Sequence, residues 1–424
     1  MYLGAIADDF TGATDLANVL TKGGLSAVQL NGIDSCTVAN ANRVKDHDAI
    51  IVALKSRSCS VDEAVSHSCQ ALKWLQEVGC EKFFFKYCST FDSTDEGNIG
   101  PVADALLERL GEEFTIACPA APENGRTVYQ GHLFVGAQLL SETGMRHHPI
   151  TPMTDANLVR VLSRQTSGKV GLLPHATVNA GAAEAHATLR DLQADGNRFA
   201  IADAVNTENL ETLARASNDL RLLTGGSGLA VGLPALMRDQ GAVSAQNADL
   251  NWPHEGKSLI ISGSCSHATN EQVRVFSQNN RAFHLDPERL AEDPERVIQE
   301  ALSYALQDND NPALIFSTAP PDKLSVTQQN LGQDQASELI EEAMADIAKR
   351  AVMAGVRKLV VAGGETSGAV VSALSIEGLA IGPEIAPGVP WTLSLNDPRV
   401  ALALKSGNFG GPDFFTNAFE TLPR

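Results

Sequence analysis

Two adjacent carboxylates follow the first apolar segment of the chain. Residues 2–7 are apolar on both faces, which predicts a buried parallel strand, and Asp8 and Asp9 come directly after it. Ligands of open α/β sheets bind at the carboxyl ends of the strands, so both residues are candidates for acid–base catalysis. Capping of the following helix is the alternative role for either Asp alone. It explains the pair less well, because adjacent like charges cost energy unless a cation or a substrate hydroxyl uses them.

Cationic and hydroxyl residues follow two further predicted strands. One basic segment comes after the strand predicted at 49–54, and a lysine followed by a hydroxyl-rich segment comes after an aromatic strand. Arginine binds carboxylates with a bidentate fork, and hydroxyl and carboxylate side chains bind sugar hydroxyls. Any one of these charges taken alone is more typical of a solvated loop. Their position at one sheet edge predicts a site for a small polyhydroxy acid, with these candidate residues: Arg57, Lys86, Asp92, Ser93 and Thr94.

Three glycine-containing turns lie in the last third of the chain, at 262–266, 363–368 and 406–411. The first two follow predicted strands, and the second opens a helix. A strand, a glycine turn and a helix start together offer free N–H groups and a favourable helix dipole to a phosphate. One such turn is more often only a tight connection. Three in one small domain predict a nucleotide site.

The common nucleotide-binding motifs are absent from the sequence. A Walker A motif ending at residues 256–258 would need glycine where Asn251 stands, and the segment leads into a strand instead of leaving one. A dinucleotide fingerprint starting at Gly226 meets Val231 where glycine or alanine is required. A dehydrogenase is therefore disfavoured.

Short apolar runs alternate with amphipathic stretches along the whole chain, which predicts an α/β fold with a mostly parallel sheet flanked by helices. Residues 241–256 are polar, lack periodicity and contain a proline, which is typical of a linker between domains. The predicted organisation is a sugar-acid-binding domain at 1–240, this linker, and an α/β nucleotide-binding domain at 257–424.

Composition limits the classes of function. The 424 residues carry a formal net charge of −19, which argues against a nucleic-acid partner because such proteins present a basic surface. The seven cysteines show no C-x-x-C spacing, which is typical of reduced thiols in the cytoplasm. We expect a cytoplasmic protein, since no leader pattern opens the chain and no apolar run is long enough for a membrane span.

The motifs at residues 8–15, 363–368 and 405–410, in this order, resemble the four-carbon acid sugar kinases. The resemblance covers essentially the whole chain. The segments 55–58 and 86–94 resemble the branch of the family that acts on a 3-oxo-tetronate. Threonate and erythronate kinases commonly have an arginine where this chain has Asp95-Glu96, and this departure also favours the oxo-acid branch.

The resemblance implies an ATP-dependent kinase that phosphorylates the 4-hydroxyl of a four-carbon sugar acid. One of Asp8 and Asp9 would accept the hydroxyl proton and the other would bind Mg²⁺, while the metal ligands otherwise stay unassigned. The implied sugar-acid contacts are those named above. A threonate or erythronate kinase and a non-catalytic sugar-acid sensor are the alternatives, and homodimer formation is left open. The implied nucleotide-binding residues are Ser262, Gly263, Ser264, Gly363, Gly364, Glu365, Thr366 and Gly407.

Overall fold

A computed structural model of the chain describes residues 2–148, 150–243, 250–307, 311–318 and 333–423. The described residues divide into two compact units, Met1–Ala248 and Asp249–Arg424. Residues 244–249 of the predicted linker lie outside the described residues, and the linker boundaries at 241 and 256 stay predictions.

The first unit is built on a sheet of eight parallel strands in the order β2-β3-β1-β4-β11-β5-β10-β9. A separate three-stranded antiparallel sheet, β6-β7-β8, was not predicted. The strands of this unit are β1 (Tyr2–Ala7), β2 (Ala27–Asn31), β3 (Ala49–Ala53), β4 (Cys80–Lys86), β5 (Thr115–Cys118), β6 (Arg126–Tyr129), β7 (His132–Val135), β8 (Gln138–Leu139), β9 (Lys169–Leu173), β10 (Asn197–Ala202) and β11 (Leu222–Gly225). Its helices are α1 (Phe10–Lys22), α2 (Val38–Val44), α3 (Val61–Val78), α4 (Ile99–Leu110), α5 (Leu158–Gln165), α6 (His175–Asn179), α7 (Ala182–Ala194), α8 (Thr207–Ala216) and α9 (Leu233–Asp239).

The order of these strands creates a crevice beside β1. The chain leaves β1 towards β2 and β3 on one side, whereas it leaves β4 towards β5 on the other side. Adjacent strands whose connections depart in opposite directions form a topological switch point, which is where open α/β sheets bind ligands. The carboxyl ends of β1 and β4 therefore mark the candidate site of this unit.

The second unit has a seven-stranded sheet in the order β13-β14-β12-β15-β18-β17-β16. Its first five strands are parallel, and β17 runs antiparallel to both β18 and β16. The strands are β12 (Lys257–Ser262), β13 (Ala282–His284), β14 (Ala313–Phe316), β15 (Val356–Ala362), β16 (Gly378–Ala386), β17 (Val389–Ser394) and β18 (Ala401–Lys405). The helices are α10 (His267–Ser277), α11 (Pro287–Glu292), α12 (Pro294–Ala305), α13 (Gln333–Met353), α14 (Gly364–Ala373) and α15 (Phe414–Glu420).

Apolar side chains cover both faces of the second sheet. Leu259 and Ile261 of β12 pack in one buried cluster with α12 and α13, while Ile260 between them packs in another with α10 and α15. Burial on both faces is the reason why the strands read as continuous apolar runs. The predicted α/β class and the mostly parallel, helix-flanked sheet of the first domain are confirmed.

Candidate active site

Asp8 and Arg57 form the centre of the polar cluster at the end of β1. The Arg57 guanidinium donates from Nε to Asp8 Oδ2 at 2.8 Å and from Nη2 to Asp8 Oδ1 at 2.9 Å. Backbone bonds join the neighbouring strand ends, because Asp8 N–H donates to the Lys86 carbonyl and Ser56 N–H donates to the Asp8 carbonyl. Burial raises the pKa of the Asp8 carboxyl, and the Arg57 hydrogen bonds and charge oppose that shift.

Asp9 is the N-cap of α1. Its Oδ1 accepts the Gly12 N–H at 2.9 Å and lies 2.9 Å from Arg57 Nη2. The sequence allowed either aspartate to cap the helix. In the structure, Asp9 is the residue that caps α1. Sharing of Arg57 by two carboxylates reduces the repulsion expected of an adjacent pair.

Lys86 reaches the same place from the end of β4. Its side chain is buried, and the ammonium lies against the first turn of α1, where a Cβ on Gly12 would come within 2.5 Å of Nζ. A side chain at position 12 would therefore require this ammonium to move. Among the described residues, no carboxylate lies within ion-pair distance of Lys86 Nζ.

The segment after β4 carries the remaining predicted sugar-acid residues. Asp92 Oδ2 lies 3.7 Å from Arg57 Nη1, and Ser93 is buried and donates to Gln165 Oε1 at 3.2 Å. The Thr94 carbonyl accepts from Gln165 Nε2 at 2.6 Å. A small cavity at this edge is lined by Asp8, Ser56, Arg57, Phe85, Asp92, Ser93, Asn98, Ile99 and Val102. The structure thus brings Arg57, Asp92 and Ser93 together with Asp8, while Thr94 makes its contact through the backbone.

Two residues that sequence reasoning did not select position this segment. Asn98 Nδ2 donates to the carbonyls of Ser56 at 2.7 Å and Cys59 at 3.0 Å, so it ties the Arg57 loop to the loop after β4. Gln165 arrives from α5 and binds the Gly100 N–H at 2.9 Å as well as Ser93 and Thr94. Asn98 stands in the sequence beside the predicted segment, but no local signal marks Gln165.

In the second unit, the three glycine turns follow β12, β15 and β18, which are neighbours in the sheet. The Gly363 N–H donates to the Lys405 carbonyl at 2.8 Å, and Ser266 Oγ donates to the Gly407 carbonyl at 2.6 Å. Position 407 must be small, because a Cβ there would lie 2.5 Å from Ser264 Oγ. The predicted turns therefore form one continuous cluster of loops.

The start of α14 is suited to an anion. Gly363 precedes the helix with a φ of 131°, and no side chain caps the helix N-terminus. Gly364, Glu365 and Thr366 form its first turn, whose N–H groups have no preceding helical turn to bind. Ser262 and Gly263 lie at the adjacent strand end, with Ser262 Oγ 2.8 Å from Thr318 Oγ1. The structure brings all eight predicted nucleotide-binding residues to this edge of the sheet.

The carboxylates around Arg57 are not arranged as a multi-ligand metal cage in the part of the chain that the structure describes. Among the described residues, no group of three or more His, Cys, Asp or Glu side chains is arranged to hold a metal ion. Both Asp8 oxygens bind Arg57, whose positive charge occupies the place where a cation would have to lie. Asp8 in this arrangement does not fit the role of a Mg²⁺ ligand. None of the described helices has the length and apolar character that a membrane span requires.

Comparison with known protein families decides the family. A model of a sugar-binding N-terminal domain matches residues 3–233, and a model of a nucleotide-binding C-terminal domain matches residues 259–415. The chain belongs to the four-carbon acid sugar kinase family. The cluster around Asp8 and Arg57 lies in the sugar-binding domain, and the three glycine turns lie in the nucleotide-binding domain.

Individual members of this family resemble the chain over its full length. A Burkholderia multivorans protein named 3-oxo-tetronate kinase is 52% identical over 421 residues, which are 99% of this chain and 97% of that protein. A Haemophilus influenzae protein of the same name is 47% identical, with 98% of each chain covered. The crystal structure of Haemophilus influenzae protein HI1011 superposes with a TM-score of 0.90 at 46% identity and covers 99% of both chains. A solved Salmonella typhimurium structure gives a TM-score of 0.92 at 44% identity over the whole of both chains.

Proposed function

We propose that this protein transfers the γ-phosphoryl group of ATP to the 4-hydroxyl of a 3-oxo-tetronate and so forms 3-oxo-tetronate 4-phosphate. The observation that carries the proposal is the full-length identity of 52% to a relative named 3-oxo-tetronate kinase. Membership of a sugar kinase family and the presence of a nucleotide-binding domain support the reaction class.

Lys86 supports an anionic substrate in the sugar-binding domain. A buried ammonium is costly without a partner, and no described carboxylate forms an ion pair with it. A sugar-acid carboxylate is an anion of the right size to pair with this lysine. Arg57 lies in the same cluster, but its guanidinium already binds Asp8, Asp9 and Asp92. In this proposal Lys86 is therefore the main carboxylate ligand and Arg57 assists it.

Asp9 is the aspartate better placed to act on the acceptor hydroxyl. Both oxygens of Asp8 accept hydrogen bonds from Arg57, whereas Asp9 accepts the Gly12 N–H through Oδ1, and the same oxygen forms the ion pair with Arg57. No described donor binds Asp9 Oδ2, which leaves an acceptor for a substrate hydroxyl. Because phosphoryl transfer depends on positioning and charge neutralisation, Asp9 orients the hydroxyl and takes its proton late in the reaction.

The nucleotide phosphates are assigned to the edge formed by the three glycine turns. The uncapped start of α14 supplies backbone N–H groups and the positive end of a helix dipole. Mg²⁺ enters this proposal together with the nucleotide, since it commonly binds phosphate oxygens, water and only one or two carboxylates. A cytoplasmic enzyme without nucleic-acid partners is consistent with the acidic charge.

An ADP-release assay with a panel of four-carbon sugar acids tests the proposal. We expect the highest kcat/KM with a 3-oxo-tetronate, and phosphorus NMR of the product should place the phosphate on carbon 4. A higher kcat/KM with threonate or erythronate would contradict the proposed substrate. Binding of the sugar acid without ADP release would favour a sensor over an enzyme.

A further inference from the structure

Lys405 is a buried cation that the reaction described above does not use. It ends β18 with its side chain fully buried, and the Nζ lies 3.0 Å from Thr269 Oγ1 and 5.9 Å from the centre of the Phe414 ring. No described carboxylate forms an ion pair with it. Burial lowers the pKa of this ammonium to about 8. A buried charge with only neutral partners is costly, so its position calls for a specific explanation.

The ammonium holds two carbonyls of the adjacent turn. Lys405 Nζ donates to the Ser406 carbonyl at 3.1 Å and to the Gly407 carbonyl at 3.0 Å. The Gly407 carbonyl also accepts from Ser266 Oγ at 2.6 Å and from Thr269 Oγ1 at 2.8 Å. Both carbonyls are therefore directed towards the start of α10.

The orientation of these carbonyls fixes the neighbouring N–H groups. In a planar trans peptide the C=O and N–H bonds point in opposite directions. The Gly407 and Asn408 N–H groups, which share peptides with the two bound carbonyls, consequently point away from α10. No described residue accepts a hydrogen bond from either N–H. Two adjacent free N–H groups beside the start of α14 are what a phosphate oxygen binds.

Gln272 acts in the same way on the rest of the turn. Its side chain is fully buried on α10, and Nε2 lies 3.0, 3.0 and 3.1 Å from the carbonyl oxygens of Phe409, Gly410 and Gly411, which share its two N–H donors. Two buried side chains thus bind five of the six carbonyls from 406 to 411. Buried side chains of the core therefore hold the backbone of this turn in its conformation.

We propose that Lys405 is a positioning residue for nucleotide binding, which turns the Gly407 and Asn408 N–H groups towards the phosphates without touching the ligand itself. This inference deepens the proposed function and rests on it, because it takes this turn as part of the ATP site. Its positive charge also favours the approach of an anion to the turn.

Calorimetric titration of the Lys405→Met variant with ATP and with adenosine tests the inference. Loss of a charged donor that fixes the turn should weaken ATP binding by roughly tenfold or more. Adenosine, which has no phosphate, should bind the variant as it binds the wild type. Lys358→Met is the matched control, since it removes a partly exposed lysine on the neighbouring strand β15, and we expect no change in either affinity.

Thr269→Val provides a second variant that keeps the shape of the core but removes one hydroxyl donor to Gly407 and one partner of Lys405. It should weaken ATP binding several-fold and spare adenosine. An unchanged ATP affinity in the folded Lys405→Met variant, or an equal loss for ATP and adenosine, would overturn the inference. The proposed function and this inference can fail separately. If the wild-type protein binds ATP but phosphorylates a different acid, the proposed substrate is wrong, whereas the effect of Lys405→Met on ATP binding still stands.

Discussion

Arg57 and Asp8 form two parallel hydrogen bonds, with Nε to Oδ2 at 2.8 Å and Nη2 to Oδ1 at 2.9 Å. The Asp8 side chain is only 8% exposed and that of Arg57 is 26% exposed. Bidentate pairs of this kind are strong and geometrically specific. The arginine predicted to bind the substrate therefore also neutralises a buried carboxylate, and its removal should affect both stability and substrate binding.

Arg57→Ala should lower the free energy of unfolding by on the order of 3 kcal/mol, because it leaves the buried Asp8 carboxylate without its partner. The KM for the sugar acid should rise or turnover should be lost, since Arg57 is proposed to assist Lys86 and forms ion pairs with Asp9 and Asp92. The affinity for ATP should change little, because the proposed ATP site lies in the nucleotide-binding domain at 259–415. Denaturant unfolding, steady-state kinetics and ATP calorimetry measure the three effects.

Arg160→Ala is the control for this prediction. Arg160 also forms a bidentate pair, with Asp155, but its side chain is 56% exposed. Exposed pairs contribute little to stability, so we expect nearly unchanged unfolding and unchanged kinetics. If Arg57→Ala lost ATP binding but kept its sugar-acid affinity, the assignment of the two sites to the two domains would be wrong.

Asp9→Asn separates catalysis from helix capping. Asparagine caps helices as well as aspartate does, so the Gly12 N–H keeps its acceptor and stability should change little. The loss of the carboxylate that is proposed to orient and deprotonate the hydroxyl should reduce kcat by roughly a hundredfold or more. Ground-state affinities for ATP and sugar acid should stay close to those of the wild type.

Asp8→Asn should instead lower stability, with a smaller loss of kcat than in Asp9→Asn. It breaks the paired charges with Arg57, so we expect a clear loss of stability measured by denaturant unfolding. Near-normal kcat in Asp9→Asn, measured at saturating substrates, would reduce Asp9 to a helix cap.

The sequence predicted those helices and strands whose apolar residues follow a regular pattern. The spacing of apolar residues predicts helices at 61–78, 99–110 and 182–194, each with an amphipathic face and a clear start or stop, and the structure has helices with these bounds. The strands predicted at 2–7 and 49–54 agree with β1 and β3 to within one residue, because apolar burial on both faces gives continuous apolar runs. The loops selected for chemistry lie at the carboxyl ends of those strands, as the topology of parallel sheets requires.

The antiparallel pair β16 and β17 was missed. Pro383, Pro387 and Pro390 interrupt this segment, and proline within an apolar run argues against a strand. Pro383 lies at a shift of register between Ile381 and Glu384, where its backbone does not need to donate a hydrogen bond to the neighbouring strand. Lys405 and Gln272 were missed as well, since their partners are backbone carbonyls that no sequence pattern reveals.

Gly364→Ala tests the approach of a phosphate to the start of α14. The positive φ of this turn lies at Gly363 and not at Gly364. A Cβ at Gly364 would meet no atom within 4 Å, so alanine should be accepted without strain. We therefore expect unchanged thermal unfolding and weaker ATP binding, because the added methyl group would occupy the space proposed for a phosphate.

Gly368→Ala serves as the control for that variant. It lies one turn further along α14 and is also open to a Cβ, so it should keep the wild-type affinity for ATP. Equal ATP affinities of the two variants, measured by calorimetry, would place the phosphates away from the start of this helix.

The buried charge of Lys405 should be visible in the pH dependence of stability. Its pKa is lowered from 10.5 to about 8 in the folded protein, whereas the unfolded chain keeps the ordinary value. Between these pH values the unfolded state binds more protons than the folded state, so the free energy of unfolding rises with pH. The partners of Lys405 are a hydroxyl, two carbonyls and an aromatic ring, none of which titrates in this range.

The difference in unfolding free energy between the wild type and Lys405→Met isolates this effect, because all other groups titrate alike in both proteins. From about pH 7 to about pH 9.5 the wild type should gain about 2 kcal/mol relative to the variant. At neutral pH the variant should be at least as stable as the wild type, since methionine buries no charge. A variant that is as stable as the wild type but binds ATP more weakly is the signature of a lysine retained to position the turn. Parallel pH profiles in denaturant unfolding would instead mean that the Lys405 ammonium titrates as an ordinary, solvated lysine.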